Sequence, residues 1–154
     1  MSFDMTALMN ATTEAAGSTE YLLVPEGEEL VGTLKVDTQT GDTLFHKWEK
    51  NGRTGLMLKF AFETSGPEVK KLINRDKLVV NCKIGLDLTE NGALDMGPGM
   101  NVPLNKLRDA CGLNKPGLRF GLGMLNGQVV KAVMKQRKGD DDKLYQDVKT
   151  WLRA

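Results

Sequence analysis

The chain has 154 residues, 40% of them hydrophobic and 27% charged, and a net charge of +1. That is the size and make-up of one ordinary globular domain with or without an arm, and a domain this large buries roughly 68–70% of its unfolded surface without help from disulfides or metal. The longest apolar runs span only a few residues and the N-terminus lacks the basic stretch of a secretory signal, so no membrane partner and a cytoplasmic location are expected.

The small net charge hides a polarity. Residues 1–30 carry six acids (Asp4, Glu14, Glu20, Glu26, Glu28, Glu29) and no Lys or Arg. Residues 31–154 hold all 21 basic residues against fourteen acids, a balance of +7. An acidic head on a basic body points to an anionic partner for the body.

Residues 1–20 are rich in Ala, Thr, Ser and Met and read as an arm or frayed helix, with the folded domain at 21–154. Tyr21 to Val24 is a short apolar run stopped by Pro25, with a turn at Glu26-Gly27. Leu30, Gly32, Leu34 and Val36 alternate with more polar residues, predicting a first strand over about 28–37. The second strand places Leu56, Leu58, Phe60 and Phe62 on one side and Met57, Lys59, Ala61 and Glu63 on the other. A third, about 77–87, puts Leu78, Val80, Cys82, Ile84 and Leu86 on one side, Asn81 and Lys83 on the other. After the loop Gly97-Pro98-Gly99, Asn101 is placed to cap a helix over about 102–111 that has Pro103 in its first turn and ends at Gly112. Two more strands follow, Gln128 to Arg137 and Leu144 to Trp151, joined by the polar loop Lys138-Gly139-Asp140-Asp141-Asp142.

The order β-β-β-α-β-β, with the helix between the third and fourth of five strands, is that of an OB-fold-like Greek-key barrel. Within this mostly-β reading, little asks for catalysis. Asp140, Asp141 and Asp142 sit in a tight hairpin that splays adjacent side chains, so they read as a solvated turn. Gly117, Gly121 and Gly123 do not follow a strand and open a helix, as a phosphate loop would. No serine lies in a nucleophile elbow. His46 is the sole histidine, and Cys82 and Cys111 read as buried thiols without a Cys-x-x-Cys pair. No enzyme, metal or cofactor is therefore expected; a small enzyme stays only as a distant third reading.

Binding has better material. OB barrels hold single strands by a basic groove along the backbone and aromatic faces on which bases stack. The connection from Asp37 to about Gly55 is long for a hairpin, and it contains Phe45, His46, Lys47, Trp48, Lys50 and Arg53. On the fourth strand Lys131, Lys135 and Arg137 share one parity, and Lys138 opens the next loop. On the fifth, Tyr145 and Lys149 share a parity. With Lys59, these are the candidate nucleic-acid contacts. Blander roles stay open beside them: Phe45 and Trp48 as a plug for the open barrel, Tyr145 and Trp151 as core or interface residues, and the alternating lysines as a wet strand face.

The sequence also resembles small bacteriophage proteins of replication and recombination, several of which are OB-fold single-stranded DNA-binding proteins. The likeness lies in Val24-Pro25-Glu26-Gly27, in Gly52-Arg53 with Leu58-Lys59-Phe60, and in Asn101-Val102-Pro103-Leu104 with Leu107-Arg108. It continues through Leu125-Asn126-Gly127-Gln128-Val129-Val130 and Tyr145-Gln146-Asp147-Val148-Lys149, covering about residues 22–152. It implies coating of single-stranded DNA in the host cytoplasm, without cofactor, alongside other replication or recombination proteins. One departure is that such binders often end in an acidic tail, whereas this chain ends Trp151-Leu152-Arg153-Ala154 and gathers acids at its head. Competition with DNA for the basic groove and contact with proteins are both open roles for that head. The alternative reading is a protein–protein module of a replication or assembly complex, to which eight methionines would lend an adaptable surface. Uncovered edge strands would favour a homo-oligomer in either case.

Overall fold

A computed structural model describes residues 4–18, 20–38, 43–50 and 53–154, with the backbone alone at 45–50, 53 and 54. The described chain is mostly β. Its six strands are β1 (Glu29–Lys35), β2 (Leu44–Lys50), β3 (Arg53–Ser65), β4 (Lys77–Leu86), β5 (Val129–Lys138) and β6 (Leu144–Arg153). Three α-helices accompany them among the described residues: α1 (Met5–Asn10), α2 (Pro67–Ile73) and α3 (Val102–Ala110).

All pairings are antiparallel, and the order is β2-β3-β1-β5-β6, with β4 on the other edge of β3. The thirteen residues of β3 serve three neighbours. Its first half pairs with β2, residues Ala61, Phe62 and Glu63 pair with β1, and Leu56 to Ser65 pair with β4. The open sheet curls until its far strands, β4 and β6, meet without pairing. Alternation decides which side faces inward: Leu30, Leu34, Leu58, Phe62, Val80, Val130 and Met134 are all buried in one core. Trp151 of β6 fills the unpaired seam, with its ring 5.8 Å from that of Phe60 and 5.7 Å from that of Phe62. Leu104 and Leu107 of α3 enter the same core, and α3 packs on β6 and β4.

Gly32 is what lets β1 lie so close to β3. A Cβ there would stand 2.4 Å from the Glu63 carbonyl oxygen and 2.6 Å from the Phe62 ring. Any larger residue must push those strands apart. Residues upstream of β1 add a strap: the Arg75 guanidinium donates to the Leu22 carbonyl at 3.2 Å, and the Val24 N–H donates to Gln146 Oε1 at 2.6 Å. The chain thus reaches from the approach to β4 across to β6 before β1 begins.

Several expectations change. The stretch expected as a long first loop contains β2, which pairs with β3 and makes a sixth strand. The short helix α2 lies between β3 and β4, anchored by buried Val69 and Ile73. Asn101 does not cap α3 through its side chain. Its backbone is left-handed (φ 50°), and the buried amide bonds instead to the backbone of Asp87 and Asp95.

Candidate nucleic-acid interface

Strand alternation that buries one side of β1, β3 and β4 turns the other side outward, and there it places Lys35, Lys59 and Lys83. Lys59 is directly opposite Lys83 across the β3–β4 pair. Lys35 faces Ala61, two residues along β3 from Lys59. Residues opposite one another in an antiparallel pair hold their Cβ atoms about 4.5–5.5 Å apart, and like charges there destabilise the sheet. The three lysines line one open groove of about 630 Å³ together with Asn81, Asp37 and Thr43. Lys35 and Lys83 form no ion pair with any other described residue. An anion entering this groove would meet Lys35 and Lys83 beside Lys59, with Asp37 as the acid in its wall.

The backbone of Phe45, Lys47, Trp48, Lys50 and Arg53 lies in the β2–β3 hairpin beside this groove, with Phe45 opposite Met57 and Trp48 opposite Gly55. Their side chains fall outside the described residues. Lys59 is brought into the groove, as its parity predicts. Lys131, Lys135 and Arg137 share the outer side of β5, opposite to buried Val130, Ala132 and Met134. Lys135 and Arg137 both lean on Asp147 of β6, at 3.8 and 3.7 Å. Exposed pairs of this kind are worth about 0–1 kcal/mol, so they yield readily to a phosphate. Lys138 pairs with Asp142 at 3.5 Å across the hairpin turn.

Tyr145 is bound into that hairpin. Its hydroxyl donates to Asp141, its ring lies under the Arg137 guanidinium at 5.4 Å, and it stands so close to Gly139 that a Cβ there would meet it at 2.6 Å. The bond from Tyr145 holds the Asp141 carboxyl below its usual range and pushes the phenol up. Simple alternation does not carry from Tyr145 to Lys149. A bulge sets Val133 against Thr150 and Met134 against Val148, leaving Lys149 as the extra residue.

Sequence reasoning missed Lys35 and its groove partner Lys83 as a pair. Their parity was legible, but not the register that brings them beside Lys59. Among the described residues no group of three His, Cys, Asp or Glu could hold a metal ion. Burial, with a smaller push from Asp147, raises the Cys82 thiol to about 12, and burial raises Cys111 to about 11. Both thiols stay protonated at neutral pH, which makes them poor nucleophiles. No described helix is long and apolar enough to cross a membrane. Comparison with models of protein families and with curated proteins finds no match to this chain.

Proposed function

We propose that this protein binds single-stranded DNA without reading its sequence, across the outer side of β1, β3 and β4. The observation that carries the reading is the groove in which Lys59 directly opposes Lys83 with Lys35 beside them. Phosphates would meet Lys35 and Lys83 beside Lys59, and single strands fit an open sheet side better than an enclosed pocket. On this reading the fold is an OB-type Greek-key barrel: β1, β3, β4, β5 and β6 are its five strands, α3 its helix, and β2 an elaboration of the first connection. The pairing order and the position of α3 between β4 and β5 support it. Stacking by Phe45 and Trp48 completes the site, with Tyr145 offering its free face at the second hairpin. The protein would then coat exposed strands in phage replication or recombination, as the family resemblance implies, using no cofactor and catalysing nothing.

The test is fluorescence anisotropy of labelled oligo-dT at low and physiological salt, with duplex DNA as control. Preference for the single strand, falling steeply with salt as counterions are released, is the expected outcome. Absence of binding by folded protein at low salt overturns it. A protein-interaction module is the second reading, favoured by Met5, Leu8 and Met9 of α1, which are 69%, 64% and 83% exposed. Removing residues 1–20 separates the two: DNA binding persists or tightens under the first reading, and assembly with protein is lost under the second.

A further inference from the structure

A second groove, of about 470 Å³, opens on the same outer side, and Lys35 borders both. Its wall includes Val31, Glu63, Ser65 and Lys77. Register adds Lys131 of β5, which stands opposite Val31, while Lys77 stands opposite Ser65. A second cationic band therefore crosses the sheet. Along β4, Lys77 and Lys83 are six residues apart, roughly 20 Å at about 3.3 Å per residue. In the row between the bands Val79 and Val129, 45% and 52% exposed, flank Thr33 and Glu63, and Val31, 50% exposed, lies in the second band itself. Exposed valines in and between two rows of lysine match a ligand that alternates charge with flat apolar groups. A nucleic-acid strand has that make-up.

We infer that the second groove continues the first, so that one DNA strand runs from Lys83, Lys59 and Lys35 to Lys77 and Lys131. Phosphates meet the two bands, and sugars and bases lie against Val79 and Val129 in the row between. The inference rests on the single-strand reading above and lengthens its footprint. Glu63 is the acid in the wall of the second groove, 3.6 Å from Lys77. It holds Lys77 over the sheet, and the strand displaces it.

The experiment compares the full chain with the double variant Lys77→Gln, Lys131→Gln on oligo-dT of about four and about sixteen nucleotides, the span of OB-fold site sizes. Both substitutions lie on the outer side of the sheet, and circular dichroism confirms that the fold is kept. The variant is expected to match the wild type on the short oligomer and to bind the long one about tenfold more weakly. Its salt slope on the long oligomer should also fall by about 1.4, two contacts at about 0.7 each. Unchanged affinity for the long oligomer overturns the inference. Equal weakening at both lengths overturns it too, since the charges then act as a general field. Wild-type binding to neither length removes the functional reading itself, and this extension with it.

Discussion

At Gly32 the absence of a side chain is the structural element. The Phe62 ring and the Glu63 carbonyl occupy the space where a Cβ would lie. Gly32→Val should cost at least the 1–3 kcal/mol or so of core overpacking, read as a lower urea midpoint at unchanged slope. Cys82 sets a different limit. Its thiol is held up to about 12, chiefly by burial. An unfolded thiol ionises near 8.5, so between about 8.5 and 12 the native chain keeps a proton that the unfolded chain releases. Stability therefore has its full contribution below that window and falls as pH rises through it. Cys82→Ala should flatten this alkaline loss in denaturant titrations at pH 8 and pH 10, whereas an unaltered loss would assign it to other groups.

The two hairpins divide the labour at the scale of elements. β5 and β6 carry Lys135 and Arg137 on a shared, half-buried Asp147, so reversing both to Glu should weaken oligo-dT binding severalfold while leaving the melting midpoint within a few degrees. Trp48→Ala in the β2–β3 hairpin should cost roughly 1–3 kcal/mol of DNA affinity if its ring stacks on a base. Unchanged affinity in the folded variant would leave the hairpin with phosphate contacts alone. Most of the strands were legible because each buries one side, which writes a period of two into β1, β3 and β4. β2 was not, since Leu44 to Lys50 mixes aromatic and charged residues without a clean apolar side, and only pairing with β3 makes it a strand. α2 escaped because seven residues with two core positions leave too little periodicity to read. The bulge at Lys149 defeated simple parity: alternation in sequence cannot show where a strand gains an extra residue. The basic groove was half legible for a related reason. Each lysine's side could be read from its own strand, but the face-to-face placement of Lys59 and Lys83 depends on register across a connection that contains a helix.

For the whole molecule, charge and topology are both unevenly distributed along the chain. The acids of residues 1–30 are partly folded back onto the basic body, as where Glu26 accepts from the Gln136 N–H at 2.6 Å. If that head competes with DNA, removing residues 1–20 tightens oligo-dT binding most at low salt, because screening weakens the competitor as well. The central strand has a further consequence, for how the molecule comes together in time. β1 finds one neighbour in β3 but its other in β5, with Leu30 against Ala132 and Gly32 against Val130, about a hundred residues downstream. During synthesis β1 must wait with one edge open until most of the chain has emerged. Loop-closure entropy is paid before that pairing gives any return, so stopped-flow refolding should fall in the millisecond-to-second range of proteins with high contact order. The middle strand of the finished sheet is thus, for most of the chain's assembly, its most vulnerable edge.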